Sequence, residues 1–161
     1  MRQIRRNVFE TNSSSSHSVT IKHAEGLAPN HMPIHEDGYI HVSLGQFGWG
    51  IDHFNDQSTL LSYLVTMAMC KSDINEWAYD SAEKLAADVM KTKEFERISD
   101  AVAAYACCNG VIIDGDIEGY IDHQSHCDYS SVQDFLNDYD TDIIEFIYGN
   151  GTILHIDNDN H

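Results

Sequence analysis

The chain has 161 residues, 42 % of them hydrophobic and 10 % aromatic, and it carries a formal net charge of −17 at pH 7. This length and composition predict one globular domain over residues 1–161, without an apolar run long enough to cross a membrane. The acidic balance argues against direct binding to DNA or RNA, because affinity for a phosphate backbone comes from Lys and Arg.

The cysteines and the first residues indicate where the protein acts. Cys70, Cys107, Cys108 and Cys127 form no CxxC pair and no disulfide-dense spacing, so we expect free thiols. The basic residues 1–6 are not followed by the apolar core of a secretion signal. Together these features predict a cytoplasmic protein.

The most distinctive segment lies near the start. Arg2, Arg5 and Arg6 precede the polar run Glu10-Thr11-Asn12-Ser13-Ser14-Ser15-Ser16-His17-Ser18. If the chain bends here, its backbone amides and these side chains would bind an anion such as phosphate, with an arginine nearby. The alternative is a turn in which the Ser, Thr and Asn side chains bond their own backbone, and no P-loop pattern is present.

Two strands and an aromatic loop are predicted next. Residues 19–22 and 38–44 alternate as strands do, and both prolines fall in the loop between them. Phe47-Gly48-Trp49-Gly50 follows, and its glycines let the backbone turn sharply. Trp49 would stack there on a base or on a partner, although a large aromatic residue more often packs in the core.

Helices are predicted through the middle of the chain and once more near its end. Apolar residues at helical spacing favour helices from a cap at Ser58 to about Cys70, from Ser81 over residues 85–90, and over residues 95–109. A capping box predicts a short fourth helix that begins at Ser130-Ser131.

The last third also contains strands. Residues 111–113, 119–121, 142–148 and 152–156 are predicted strands, and Gly149-Asn150-Gly151 suits a hairpin between the last two. The predicted fold class is therefore α+β: a single domain with a mainly antiparallel sheet and three or four helices packed on one face.

A second polar segment follows the predicted strand at residues 119–121. His123, His126 and Cys127 are types of zinc ligand, but the paired cysteines and the HExxH helix of known zinc sites are absent. We predict no metal site here, and no cofactor can be named. The segment is expected instead to supply hydrogen-bonding groups and a proton-carrying imidazole.

The acidic residues are distributed unevenly, since no Lys or Arg follows Arg97. The simplest interpretation is a solvated face that keeps the protein soluble. Mimicry of nucleic acid, which would occupy a basic partner, and a site for a divalent cation are the alternatives.

The N-terminal run carries a family resemblance. Residues 2–18 resemble the opening of a group of proteins that are encoded mainly by tailed bacteriophages. Phe47-Gly48-Trp49-Gly50, residues 120–125 and Asp157-Asn158-Asp159 are similar to further elements of that group. The resemblance implies an accessory protein expressed inside an infected bacterium, and it brings no assigned activity or catalytic residue. It also suggests that these four polar segments meet at one site.

Two functional hypotheses follow from these patterns. In the first, the polar segments form a pocket for a phosphate-bearing small molecule or nucleotide, in which His17 or His123 would move a proton if a reaction occurs. The predicted ligand-binding residues are Arg5, Arg6, Glu10, Asn12, Ser13, Ser14, Ser15, Ser16, Trp49, Asp122, Gln124 and Ser125. In the second, the protein is a non-enzymatic inhibitor or adaptor, such as an anti-defence or host-takeover factor, whose acidic face binds a basic host protein.

Overall fold

The computed structural model describes residues 2–6, 17–72, 74, 79–114, 119–122 and 129–158, and for residues 2–6, 17, 18, 23 and 158 it describes the backbone alone. In chain order the elements are β1 (Arg2–Arg6), β2 (His17–His23), β3 (Ile40–Val42), β4 (Gln46–Phe47), β5 (Ile51–Phe54), α1 (Gln57–Cys70), α2 (Ala82–Val89), α3 (Lys93–Ala106), β6 (Val111–Ile113), β7 (Tyr120–Ile121), α4 (Val132–Asp138), α5 (Ile143–Tyr148) and β8 (Ile153–Asn158).

The largest sheet has the strand order β1-β2-β8-β5, and its neighbouring strands are all antiparallel. Val19 and Ile21 of β2 pair with Ile156 and Leu154 of β8, and all four side chains are buried. Because side chains alternate along a strand, one face of this sheet therefore packs on the core. The predicted α+β fold with an antiparallel sheet is confirmed.

Two parallel strand pairs lie outside this sheet. β3 pairs with β6, and β4 pairs with β7. The strands expected near residues 111–113 and 119–121 are thus present. Parallel strands require a long crossover between them, and here α1, α2 and α3 lie within that connection.

Helix α1 forms the centre of the hydrophobic core. Leu61, Tyr63, Leu64 and Val65 are completely inaccessible to solvent, and the helix contacts α3, α4, α5, β3 and β7. Its N-cap is Asp56, which accepts a hydrogen bond from the Thr59 amide, so the helix begins before the predicted cap at Ser58. Within the described part of the chain, no helix is long and apolar enough to cross a membrane.

The predicted hairpin over residues 142–156 is wrong in its first half, because residues 143–148 form α5. The Asp142 carboxylate accepts a hydrogen bond of 2.8 Å from the Glu145 amide and so caps the helix. Phe146, Ile147 and Tyr148 are buried against the core. A short apolar run is compatible with either element, and the cap together with the packing decides for the helix. The strand expected at residues 152–156 is present as β8.

Candidate functional site

Several of the predicted polar segments reach the same end of the four-stranded sheet. β1 ends there at Arg6, β2 begins at His17, β8 ends at Asn158 and β5 begins at Ile51. His17 pairs with Asn158, and Ile51 pairs with Asp157, so the strand register itself brings these positions together. We call this region the polar end of the sheet.

The dimensions of the polar end follow from strand geometry. Arg6 pairs with Val19, which makes Arg6 and His17 diagonal neighbours about 7–8 Å apart. Neighbouring strands are about 4.8 Å apart, so the polar end extends roughly 14 Å from β1 to β5. This width suits a small molecule with several functional groups.

The Trp49 loop is fixed from both sides. On one side, the amide of Asp122 donates to the carbonyl of Phe47, and the amide of Tyr120 donates to Gly45, each over 2.9 Å. On the other side, Trp49 comes two residues before Ile51, the first residue of β5. The loop is therefore held beside the polar end by β4, β5 and β7.

The Trp49 indole lies at the surface and not in the core. Its exposed fraction is 64 %, and it stacks on Tyr120 with ring centroids 5.0 Å apart and planes inclined by 24°. Its loop neighbour Phe47 is 3 % exposed and packs edge-on against Tyr63. The core position considered for Trp49 is thus occupied by Phe47, and the indole can contact a ligand.

Asp122 is brought to the same region by β7, but its side chain is only 7 % exposed. Its backbone bond to Phe47 places it two residues from Trp49 across the β4–β7 pair. A buried carboxylate is a poor direct partner for an anion, since like charges repel strongly away from water. Asp122 is therefore better placed to organise the Trp49 loop than to contact phosphate.

The remaining predicted residues are located only in part. The backbones of Arg5, Arg6 and His17 lie in β1 and β2. The others lie outside the described residues: Glu10, Asn12, Ser13, Ser14, Ser15, Ser16, His123, Gln124 and Ser125.

A pair of histidines that was not predicted lies on the face of the sheet opposite the core. His53 of β5 and His155 of β8 are paired in the register, and their rings stack with centroids 4.2 Å apart. His155 Nδ1 lies 3.2 Å from the Asp52 carbonyl, which favours the tautomer that donates from Nδ1. No sequence signal joins these residues, because the pairing of β5 with β8 is a long-range contact.

A second cluster that was not predicted surrounds His41 of β3. Its Nε2 is 2.8 Å from Asp37 and its Nδ1 is 3.0 Å from Asp114, while the His35 ring stacks on it at 4.1 Å. Hydrogen bonds to Asp114 and Asp37 raise the pKa of His41. Because both ring nitrogens are engaged, this imidazole is suited to joining three segments and not to abstracting a proton.

A depression lies in the acidic part of the chain that follows Arg97. A shallow depression of about 290 Å³ at the junction of α4 and α5 is lined by Asn137, Asp140, Thr141, Asp142 and Glu145. Its carboxylates make it unsuited to a phosphate. Among the residues that the structure describes, no three His, Cys, Asp or Glu side chains are arranged to hold a metal ion.

Cys70, Cys107 and Cys108 form no disulfide with one another, and Cys127 lies outside the described residues. Comparison of the chain with protein families, curated proteins and solved structures finds no match.

Proposed function

We propose that the polar end of the sheet binds a phosphate-bearing small molecule. The observation that carries this proposal is the strand register, which brings the end of β1, the beginning of β2, the end of β8 and the Trp49 loop to one place. Arg6 and His17, the described residues on either side of residues 7–16, both lie in this region.

The distribution of positive charge supports the proposal. Arg5 and Arg6 lie toward the polar end of β1, whereas Arg2 and Lys22 lie toward the opposite end of the β1–β2 pair, in a chain whose formal net charge is −17. An anion approaching this protein is repelled by its acidic surface and is attracted by the arginines of β1. Arginine is also the side chain best suited to a phosphate, because its planar guanidinium donates two parallel hydrogen bonds.

In this proposal the residues have separate roles. Arg5 or Arg6 holds the anion, and Ser13 to Ser16 donate hydrogen bonds to it. His17 or His123 moves a proton if the bound compound reacts. The setting is the bacterial cytoplasm during phage infection, as the resemblance of the first residues implies.

The test measures binding by calorimetry with inorganic triphosphate and ribose 5-phosphate as probes. Changing Arg5 and Arg6 together to Gln should weaken binding at least about ten-fold, since a charge-assisted hydrogen bond contributes roughly 1.5–3 kcal/mol. The control is Arg97→Gln, which removes one positive charge from an exposed position on α3. Equal affinity in the double variant and the control would contradict the proposal.

A proton-transfer role for the histidines needs a separate variant. Changing His17 and His123 to Ala should abolish turnover of a reactive phosphate ester while leaving ligand affinity within about a few-fold. Full turnover in the double variant would exclude both histidines from chemistry.

The second candidate function is an acidic adaptor for a basic host protein. The observation that favours it is that Asp134, Asp140, Asp142 and Glu145 are exposed on α4, α5 and their connection. Its affinity should fall steeply as salt rises, because exposed charges are screened, whereas binding in a pocket should be less sensitive. A salt titration of any host partner therefore separates the two functions.

A further inference from the structure

Trp49 is the most exposed of the large hydrophobic residues in the described part of the chain. We propose that its open indole face is a stacking platform for the base of a free nucleotide, with the phosphates directed toward β1. This inference rests on the proposed function and names the class of ligand.

The indole is held in place before any ligand arrives. Phe47 anchors the loop in the core, and Gly48 adopts a φ of +89°, a conformation that L side chains rarely take. Tyr120 then supports one face of the indole from β7. An aromatic ring fixed in this way loses little conformational freedom on binding, which favours affinity.

The opposite face of the indole is available. With one face on Tyr120 and 64 % of the residue exposed, the other face is open to solvent. The neighbouring Gly50 also borders open space, since a methyl group added there would meet no atom of a described residue within 4 Å beyond its two chain neighbours. A flat ring can therefore approach Trp49 without displacing a described side chain.

The distance from Trp49 to the arginines matches the shape of a nucleotide. Trp49 lies two residues before β5, and the backbones of Arg5 and Arg6 lie in β1, which is three strand spacings or roughly 14 Å from β5. A nucleotide has its flat base at one end and its charged phosphates at the other, separated by a sugar. At the polar end, the aromatic ring lies beside one edge strand of the sheet, and two arginine residues belong to the other edge strand.

The overall charge favours a free nucleotide over a nucleic acid strand. A strand would extend its phosphates beyond the polar end over a surface that is mostly acidic, and its affinity depends on many Lys and Arg contacts. A single nucleotide needs only the local cluster.

The experiment compares ligands that differ only in the base. Calorimetry would measure AMP against ribose 5-phosphate, and ATP against inorganic triphosphate, for the wild type and for Trp49→Ala, Trp49→Phe and the control Ile34→Ala. Ile34 is another exposed apolar residue, at 45 %. We expect each nucleotide to bind the wild type about ten- to a hundred-fold more tightly than its partner without a base.

The variants should separate stacking from phosphate binding. Trp49→Ala should reduce this preference to nearly one by weakening the binding of the two nucleotides, while Trp49→Phe and Ile34→Ala keep most of the preference. If Trp49→Ala does not fold, quenching of wild-type tryptophan fluorescence by AMP but not by ribose 5-phosphate gives the same information, with loss of that quenching in Trp49→Phe as its check.

The experiment distinguishes a failure of the stacking platform from a failure of the proposed function. Phosphate compounds that bind with no preference for a base, or a preference that survives in Trp49→Ala, would overturn the platform and leave the proposed function intact. If none of the four compounds binds the folded wild type, the proposed function fails as well. Tighter binding of a short oligothymidylate than of either nucleotide would overturn the assignment to a free nucleotide.

Discussion

His41 connects three segments of the chain through a charge that depends on pH. Its ring lies between the carboxylates of Asp37 and Asp114, at 2.8 and 3.0 Å. These hydrogen bonds raise the pKa of His41 above its usual 6.5, and those from the Tyr39 amide and His41 lower the pKa of Asp37 below its usual 3.8. The pairing of His41 with these carboxylates therefore stabilises the fold most at pH values between the usual pKa of Asp37 and the usual pKa of His41.

The sign of the pH dependence follows from the direction of each shift. The contribution of His41 is fully present below its unfolded pKa and is lost as the pH rises through its folded pKa, whereas that of Asp37 is lost as the pH falls through its own folded pKa. His41→Gln should thus lower the free energy of unfolding clearly at about pH 5.5 and little at about pH 9. Urea titrations at both pH values measure this change in the free energy of unfolding.

The control for this prediction is His31→Gln, which changes an exposed histidine. It should lower stability by a similar, small amount at both pH values. Equal losses for His41→Gln at the two pH values would show that its packing, and not its charge, is what the fold requires.

Tyr139 and Tyr63 are both buried, but their hydroxyl groups differ in hydrogen bonding. The Tyr139 hydroxyl donates to the carbonyl of Val19 over 3.1 Å, which attaches the end of α4 to β2. The Tyr63 hydroxyl, by contrast, has no hydrogen-bond partner among the described residues. Burial raises the pKa of Tyr63, so this phenol stays neutral.

Removal of each hydroxyl should therefore have a different effect. Tyr139→Phe should lower the free energy of unfolding by about 0.5–1.5 kcal/mol, because it removes the buried hydrogen bond to the Val19 carbonyl. Tyr63→Phe should leave stability unchanged or raise it, since no bond to a described residue is lost. A larger loss for Tyr63→Phe than for Tyr139→Phe in urea unfolding would mean that this hydroxyl is satisfied in solution.

At the scale of elements, the predictions succeeded where the signal is local. Ser81 and Ser131 cap α2 and α4 through bonds to the third following amide, as their positions indicated. The failures depend on distant partners. The basic β1 and the mixed β5 have no strand pattern of their own, and they become strands by pairing with β2 and β8.

The end of α3 offers a test of element stability. Cys107 caps it with a φ of +55°, a left-handed conformation that costs a residue with a Cβ about 1 kcal/mol, and its side chain is exposed. Cys107→Gly should therefore raise the free energy of unfolding by up to about 1 kcal/mol. Thermal and urea unfolding measure the change.

The matched control introduces the same residue three positions earlier. Ala104 is exposed inside α3, and Ala104→Gly should lower the free energy of unfolding by about 1 kcal/mol. If both variants lose stability equally, the gain from the left-handed position is smaller than the entropy that glycine adds to the unfolded chain.

At the scale of the whole molecule, the sequence predicted the polar segments, and only the family resemblance suggested that they meet. Trp49 and His17 can be recognised as candidates from their local sequence. Their closeness in space depends on β8, which pairs with both β2 and β5. The histidine pair of β5 and β8 was missed for the same reason. Residue chemistry is local information, and the register of distant strands is not.

The net charge of −17 should make the stability of the molecule dependent on salt. Repulsion between carboxylates opposes compact structure, and salt screens it. We expect the free energy of unfolding in urea at pH 7 to rise as NaCl increases from about 0.05 M to about 0.5 M. A fall over this range would mean that local ion pairs, such as those of Lys84 and Lys91, outweigh the repulsion.

The antiparallel order of the sheet also decides where the protein can be attached to a surface or a label. β8 ends at Asn158 beside His17, whereas β1 begins at Arg2, opposite His23 at the other end of the sheet. A tether joined after β8 emerges next to the proposed ligand, and one joined ahead of β1 emerges away from it. Immobilisation ahead of β1 should therefore leave the polar end accessible to a ligand, whereas immobilisation after β8 should hinder binding. A comparison of ligand binding in the two orientations tests whether the ligand enters at the polar end.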